Sequence, residues 1–161
     1  MNRSLSRVCR GLATVALVLA PAALAPCARA EEPAVPYWAS MSKDKANVRV
    51  GPGFDYRISW VYQRRGLPVK VVRTMGGWRL IEDPDGTRGW LLSRFLSRTH
   101  TAIVIGKHNA EMHEGSDGGG RLLWRVEPGV VGIVGDCDSG WCRFEVGARK
   151  GYIRADAIWG S

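Results

Sequence analysis

The sequence predicts an all-β protein made of two small β-barrels in tandem. Three observations lead to this prediction: the chain repeats itself, each copy consists of short runs rich in β-branched and aromatic residues, and glycine- and aspartate-bearing turns separate those runs. Neither copy shows the apolar period of a ten-residue helix. Five short strands in about 55 residues are typical of a small barrel or roll.

The internal repeat has an offset of about 62 residues, as expected for two structural units of equal size. Several features align in this register: Asn47 with Asn109, Gly53 with Gly115, Arg65 with Glu127, Trp78 with Trp141 after one inserted residue, and Gly89 with Gly151. The copies share turn residues and apolar positions more than identity, which predicts two similar barrels with different surfaces.

The strands of the first copy follow from its composition. The runs NVRV, ISWVYQ, LPVKVVR, WRLIE and GWLL are predicted as strands, and GPGFDY, RRG, MGG and PDGT as the turns between them. The sequence SRFL (93–96) suits a single helical turn. The segment 99–106 contains TAIVIG, which is too apolar for a free linker, so we expect it to form a strand that couples the barrels.

The first thirty residues predict a signal peptide that is cleaved on export. A basic start precedes an apolar stretch over 12–24, and the stretch ends in the small-x-small sequence ARA (28–30). The stretch is shorter than the roughly 20 residues of a membrane span and contains Pro21, so no stable span is expected. An alternative is lipid attachment at Cys27, which the proline directly before it disfavours.

Removal of the signal peptide defines the organisation and charge of the mature chain. The predicted segments are 1–30 as signal peptide, 31–44 as an acidic, proline-bearing linker, 45–98 as the first barrel and 99–161 as the second. Four of the 23 basic residues leave with the signal peptide, so 19 basic residues face 15 acidic ones. A balance of +4 is too small to indicate a nucleic-acid partner, and export also argues against one.

Two cysteines remain in the mature chain, Cys137 and Cys142, in the sequence CDSGWC. If the four residues between them form a hairpin turn, the two side chains face each other at a spacing that a disulfide accepts. A redox pair usually has two intervening residues at the start of a helix, and zinc would require two further ligands nearby. We therefore expect a structural disulfide in the second barrel.

The remaining polar residues do not indicate an active site. His108 and His113 flank Glu111, but the three do not all share one strand face, so we expect solvated or edge histidines rather than a metal site. No nucleophile has an evident neighbouring base. The sequence therefore predicts a non-enzymatic protein without a cofactor or metal.

The motifs ANVRVGPGFDY, RRGLPVKVV, GGWRLIE and GTRGWLLSRFL stand in the order of the bacterial Src-homology-3-like (SH3b) domain, which the first copy resembles. The second copy resembles it more loosely through NAEMHEGSDGG, EPGVVGIV, CDSGWCRFEV and RKGYIRADAIW. The predicted signal peptide implies secretion across the inner membrane. The resemblance implies two SH3-like barrels, which in exported members of the family are typical of cell-wall or peptide-binding accessories, here of the periplasm or cell envelope.

The aromatic residues of the first copy are too numerous for the core of one small barrel, so some must be exposed. By the resemblance, the binding groove lies between the loop after the first predicted strand and the turn before the last. The candidate ligand-binding residues are Tyr56, Arg57, Arg64, Arg65, Trp78 and Phe95. In the second copy Ala157 stands where Phe95 stands in the first, which predicts a weaker groove there.

Charge points to the same barrel, because residues 45–98 carry eleven basic and four acidic side chains, whereas residues 107–161 carry seven and eight. A basic aromatic surface suits the carboxylates of peptidoglycan stem peptides. The sequence therefore predicts an envelope module that recognises peptidoglycan or its peptides through the first barrel. The alternative is a periplasmic scaffold or adaptor that binds a protein partner.

Overall fold

The computed structural model describes residues 34–161, which form two seven-stranded antiparallel sheets, each with its own core. The predicted all-β fold is confirmed. Within the described residues, the helical segments are two three-residue 3₁₀ turns, and neither could cross a membrane. The predicted signal peptide, including Cys27, lies outside the described residues.

The first sheet contains seven strands in the spatial order β3-β2-β6-β5-β4-β1-β7. These strands are β1 (Tyr37–Met41), β2 (Ala46–Arg49), β3 (Ile58–Tyr62), β4 (Pro68–Met75), β5 (Trp78–Glu82), β6 (Arg88–Leu92) and β7 (Leu96–Ser97). The 3₁₀ turn Ser93–Phe95 joins β6 to β7, as the sequence SRFL predicts.

The second sheet repeats the first in the order β10-β9-β13-β12-β11-β8-β14. Its strands are β8 (Thr101–Val104), β9 (Ala110–His113), β10 (Leu122–Val126), β11 (Val131–Asp138), β12 (Trp141–Val146), β13 (Arg149–Arg154) and β14 (Ile158–Trp159). The 3₁₀ turn Ala155–Ala157 again joins the last two strands. The predicted strand in TAIVIG is confirmed as β8.

Alternating strand residues build each core, because successive side chains of a strand point to opposite faces. In the first barrel the core is formed by eight buried apolar side chains without an aromatic ring: Ala39, Met41, Ala46, Val48, Val69, Val71, Ile81 and Leu91. The second core includes Met112, Val134, Phe144, Ile153 and one cysteine, Cys142. Both clusters are buried almost completely, so each repeat has the apolar centre of a separate barrel.

The expected linker 31–44 is wrong over Tyr37–Met41, which forms β1. This strand pairs with both β4 and β7 and buries Ala39, Ser40 and Met41. Because consecutive side chains of the strand are buried, its sequence YWASM lacks the alternation by which a half-exposed strand is recognised. Its counterpart in the second copy is β8. The Met41 amide donates to the carbonyl of the residue just before β4, and the Val104 amide donates to the carbonyl of the residue just before β11.

The structural register of the repeat differs from the uniform offset of about 62. Ala46 and Ala110 occupy equivalent positions opposite Tyr62 and Val126, an offset of 64. Trp78 and Trp141 are 63 apart in position. Gly89 and Gly151 are 62 apart, as predicted. The drift arises because two connecting segments are one residue shorter in the second copy, and loops tolerate such length changes.

Direct contacts join the two barrels, which belong to one compact unit. The Thr101 hydroxyl donates to the Gly66 carbonyl at 2.8 Å, and Arg64 Nη1 donates to the Gly129 carbonyl at 2.7 Å. The rings of Trp38 and Trp159 pack edge to face with centroids 4.7 Å apart. Thr101 lies in β8, so this strand also contacts the first barrel, as expected for the segment TAIVIG.

Candidate ligand-binding surface

Four side chains of the first barrel form a surface group that we call the aromatic–cation cluster: Arg49, Phe54, Tyr56 and Trp78. The Phe54 and Trp78 rings pack edge to face with centroids 5.3 Å apart. The Arg49 guanidinium carbon lies 5.7 Å from the Phe54 centroid. Phe54 is 65% exposed and Tyr56 is 48% exposed, so the cluster presents aromatic rings to solvent beside a positive charge.

The loop between β2 and β3 is positioned by Arg49 at the end of β2. Strand alternation turns Val48 into the core and Arg49 to the opposite face. Arg49 Nη1 donates to the carbonyls of Phe54, at 3.0 Å, and of Tyr56, at 2.5 Å. A single guanidinium therefore holds the loop backbone and lies against one of the loop's rings.

Gly51 allows the Tyr56 ring to lie against the loop backbone. A Cβ at position 51 would be 2.3 Å from Tyr56 Cδ1, closer than any real carbon contact. Any larger residue would displace the ring. The first glycine of the sequence GPGFDY is therefore required by the position of the Tyr56 side chain.

The chemistry that this cluster offers is binding rather than catalysis. The exposed aromatic faces can cover apolar groups or the C–H faces of a ligand, and the nearby guanidinium attracts negative charge and π-electrons. Arg57 follows Tyr56 directly and is also exposed, which adds a second positive charge to the loop. A ligand with both an apolar part and an acidic group suits this surface.

The structure brings together only part of the predicted groove. Tyr56 and Trp78 belong to the aromatic–cation cluster, and Arg57 is adjacent in the loop. The expectation that Arg64 and Arg65 lie in or beside the groove is wrong. Arg64 binds the Gly129 carbonyl of the second barrel, and Arg65 lines a cavity that Thr101 of the second barrel also lines. Both arginines therefore lie at the junction between the barrels.

Phe95 also differs from its expected position in an open groove. It lies in the 3₁₀ turn and packs, partly buried, against the core of the first barrel. The Arg94 guanidinium carbon stands 5.3 Å from its ring centroid. An amide of the same turn, that of Ser93, donates to the Gly77 carbonyl, which fixes the turn beside the start of β5. The Phe95 ring thus supports the barrel beneath this surface.

Sequence reasoning missed Arg49 and Phe54 as members of the cluster. A usable signal existed for Arg49, because it follows the core residue Val48 in a strand and must point outward. Phe54 lies in a glycine-rich turn far from any buried position, which is a sign of an exposed ring. Its contact with Trp78 joins residues 24 positions apart and depends on the tertiary fold.

The equivalent loop of the second barrel has the same length but no aromatic residues. Gly118 stands where Phe54 stands in the first copy, and Gly120 replaces Tyr56. The Gly118 backbone lies against the Trp141 ring, since a Cβ there would be 2.0 Å from that ring. Trp141 is therefore covered by backbone, whereas its counterpart Trp78 contacts an exposed phenylalanine. The second barrel lacks the exposed rings of the cluster.

One histidine of the second barrel, His113, is less exposed than expected. His108 is exposed, but the His113 side chain is only 20% exposed and its ring packs at 5.6 Å against Trp141. Both histidines line a cavity of about 370 Å³ beside Ala157, the position that Phe95 occupies in the first barrel. Within residues 34–161, no group of three or more potential metal ligands is assembled.

The predicted disulfide is confirmed. Cys137 and Cys142 lie opposite each other in the β11–β12 hairpin, with their Cα atoms 4.0 Å apart and their sulfurs bonded. Cys142 is fully buried in the core of the second barrel. The positions that correspond in the first barrel are Thr74 and Arg79, which are paired across β4 and β5.

A hydrogen bond takes a comparable structural role in the first barrel. The Tyr62 hydroxyl donates to Asp83 Oδ2 at 2.8 Å, while Asp83 Oδ1 accepts from the amides of Asp85 and Thr87. Burial raises the pKa of Tyr62 above its ordinary value, and the hydrogen bond to Asp83 raises it further. The phenol therefore remains protonated and serves as a donor.

The chain belongs to the bacterial SH3 domain family. The family's model matches it twice, over residues 42–98 and 106–160, so the repeat consists of two tandem copies of this domain. The resemblance seen in the sequence motifs is thereby confirmed, and each matched segment covers the last six strands of one sheet.

Comparison with other proteins gives relatives that share the domain but are longer. The chain is 22% identical over 130 residues to YrvJ of Bacillus subtilis (strain 168), a putative N-acetylmuramoyl-L-alanine amidase by name. The match covers 74% of this chain and 25% of the relative, so the chain spans about a quarter of that protein's length.

Solved structures show a weak likeness. NlpC2 of Trichomonas vaginalis is 13% identical, with a TM-score of 0.36, over 77% of this chain and 48% of that one. An NlpC/P60 family protein of Bacillus cereus ATCC 10987 is also 13% identical, with a TM-score of 0.35, over 76% and 56%. Likeness at this level defines neither an activity nor the arrangement of the barrels.

Proposed function

We propose that this chain is an exported, non-catalytic binding module of the bacterial cell envelope. It recognises peptidoglycan or its peptides through the aromatic–cation cluster of the first barrel. The observation that carries this proposal is the exposed Phe54 ring, held between Trp78 and Arg49 on a positively charged barrel. Exposed aromatic rings beside a guanidinium suit a ligand that combines apolar groups with carboxylates, as peptidoglycan peptides do.

Two further observations support an envelope location. The disulfide between Cys137 and Cys142 fits a protein exported to an oxidising compartment. The B. subtilis relative is named for an activity on cell-wall material, and the shared region consists of SH3 domains. A binding module that directs proteins to the wall would explain why such domains occur in this chain and in that relative.

Co-sedimentation with purified sacculi tests the proposal. We expect residues 31–161 to pellet with sacculi, and we expect Phe54→Ala to weaken the apparent affinity about tenfold or more, since loss of an aromatic anchor costs about 2 kcal/mol and about 1.4 kcal/mol corresponds to a factor of ten. Phe54 is a suitable position because its exposed ring can be removed without a cavity in the core.

The matched control is Ile133→Ala, which removes an exposed apolar side chain of the second barrel. This variant should pellet as the unchanged protein does. Equal pelleting of Phe54→Ala and the unchanged protein would contradict a site at the cluster. No pelleting of any protein would favour the alternative, a scaffold for a periplasmic protein, which crosslinking in cells would then identify.

A further inference from the structure

A second surface, distinct from the aromatic–cation cluster, contains a cavity in the second barrel. The cavity has a volume of about 260 Å³. Its apolar lining comes from Met112, Val126, Val130 and Val146, and Trp124 and Arg149 also line it. Met112 and Val126 are buried, whereas Trp124 is 39% exposed, so the cavity runs from solvent to the core.

Two large polar side chains of the first barrel are replaced by valines at this cavity of the second. Val126 corresponds to Tyr62, since they pair with the equivalent residues Ala110 and Ala46. Val146 corresponds to Asp83 by the register of the hairpin. In the first barrel the phenol and the carboxylate are hydrogen-bonded to each other and line a cavity of their own. The valines therefore give the cavity of the second barrel an apolar interior where the first barrel has a polar pair.

One cation at this cavity has no polar partner. The Arg149 guanidinium carbon lies 4.7 Å from the Trp124 ring centroid. Among residues 34–161, its side chain has no hydrogen-bond or ion-pair partner. An arginine that stacks on an aromatic face keeps the N–H groups at its edge available, and these match the two oxygens of a carboxylate. The first barrel has Thr87 at the corresponding position.

Arg149 is the cation of the lining that has, in the described part of the chain, no polar partner to compete with a ligand. Arg125 is paired with Glu111, with Nε 3.3 Å from Oε1. Glu127 is the acidic member of the lining and is exposed to solvent, as Arg149 is. The lining itself carries two positive charges and one negative charge, and an acidic group with a small apolar body is complementary to Arg149 and the apolar interior beside it.

We propose that this cavity binds the terminal carboxylate of a short peptide, with Arg149 as the carboxylate partner and the valine-lined interior as the pocket for the small apolar side chain of the last residue. This site lies in the second barrel and shares no residue with the aromatic–cation cluster, on which the proposed function rests. Either proposal can therefore fail without the other.

The test compares N-acetyl-dialanine as the free acid with the same peptide as its C-terminal amide. Each is titrated into ¹⁵N-labelled residues 31–161 and followed by heteronuclear NMR. The free acid should move the Trp124 indole and Arg149 signals. The amide should bind at least about tenfold more weakly, because it lacks the charge that Arg149 recognises.

Two variants and one control complete the test. Arg149→Gln should weaken binding of the free acid about tenfold, and the double variant Val126→Tyr, Val146→Asp should abolish it by replacing the apolar interior with the larger, polar pair of the first barrel. The control Arg143→Gln removes an exposed arginine that does not line the cavity and should leave binding unchanged. Unmoved signals in the rest of the spectrum would show that each variant is folded.

The proposal is overturned if acid and amide bind equally, if Arg149→Gln binds as the unchanged protein does, or if neither peptide moves these signals at millimolar concentration. Phe54→Ala should not affect this titration. A loss of sacculus binding with an intact peptide titration would therefore contradict only the proposed function.

Discussion

The two barrels share one strand order and differ in how each is stabilised and in what each exposes. The first exposes Phe54 and Tyr56 on a loop where the second has Gly118 and Gly120. The second has a disulfide where the first has a threonine–arginine pair. The first has a partly buried tyrosine–aspartate hydrogen bond where the second has two valines that line an apolar cavity.

The comparison shows that one barrel fold can present two different surfaces when each copy is stabilised in its own way. Loop and rim positions vary between the copies, and the core positions remain apolar. The barrel frame needs only a small core, so a covalent link in one copy and a buried hydrogen bond in the other add to its stability. Substitutions at paired positions should therefore have unequal effects in the two barrels.

The largest difference is expected at a pair of equivalent glycines, Gly89 and Gly151. A Cβ at Gly89 would stand 2.3 Å from Val48 Cγ1 and 2.8 Å from the Trp60 ring, whereas at Gly151 the nearest atoms are the His113 carbonyl oxygen at 3.0 Å and Met112 Cε at 3.3 Å. Gly89→Ala should lower the free energy of unfolding of the first barrel by about 2–3 kcal/mol through overpacking.

Gly151→Ala should cost less, about 1 kcal/mol, because the methionine side chain can move and the His113 carbonyl oxygen has to shift by only a few tenths of an ångström. Denaturant unfolding, followed by NMR signals of each barrel, measures both values. Equal losses for the two variants would show that the barrels are packed alike at this position.

Reduction of the disulfide should destabilise the second barrel by roughly 2 kcal/mol, because the bond closes a short loop in the unfolded chain. The first barrel has no cysteine and should keep its unfolding midpoint under the same reductant. Hydrogen exchange with and without reductant resolves the two barrels. An equal loss of protection in both would mean that they unfold as one cooperative unit.

Tyr62→Phe should destabilise the first barrel by about 1–2 kcal/mol, because it removes the donor to a buried carboxylate oxygen. The matched change in the second barrel is Val126→Ala, which tests packing at the equivalent position without a hydrogen bond. Denaturant unfolding measures both changes. No change in stability for Tyr62→Phe would mean that the hydrogen bond makes no net contribution to the free energy of unfolding.

The smallest expected effect is a loss of stability of the first barrel at alkaline pH. The pKa of Tyr62 is raised in the folded barrel, chiefly by burial, above its ordinary value of 10.0. Below about pH 10 the phenol is protonated in both states, so its contribution to stability is complete there. As pH rises further, the unfolded chain loses the proton first and the folded state becomes less stable.

Tyr62→Phe should remove this part of the alkaline loss, and thermal unfolding between about pH 8 and 11 would show it as a shallower slope. An identical slope in the variant would mean that other groups account for the loss. The second barrel has valine at this position and serves as the internal reference.

Much of the fold could be predicted from the sequence because five strands of each copy alternate or are rich in β-branched residues. The strand Tyr37–Met41 could not be recognised by the same signal, since consecutive residues of it are buried between two neighbours. A uniform offset misses the register of the repeat by up to two residues. The length changes fall in turns, where sequence similarity is lowest.

The candidate surface was predictable only where local sequence determined it. Tyr56 and Trp78 are recognisable as aromatic residues beside glycine-rich turns. Arg64 could not be assigned, because its partner is a backbone carbonyl 65 residues away. The location of Phe95 depends on how deeply a 3₁₀ turn packs onto the core, which spacing along the chain does not specify.

The central claim is that the loop aromatics form a ligand site on the first barrel and that the equivalent loop of the second barrel forms none. Its most direct test uses the equivalent tryptophans, Trp78 and Trp141, as reporters. Solubilised peptidoglycan fragments are titrated into ¹⁵N-labelled protein, and the two indole signals are followed by NMR. The account predicts that the Trp78 signal moves while Trp141 stays in place. Movement of Trp141 alone, or of neither signal, would contradict it.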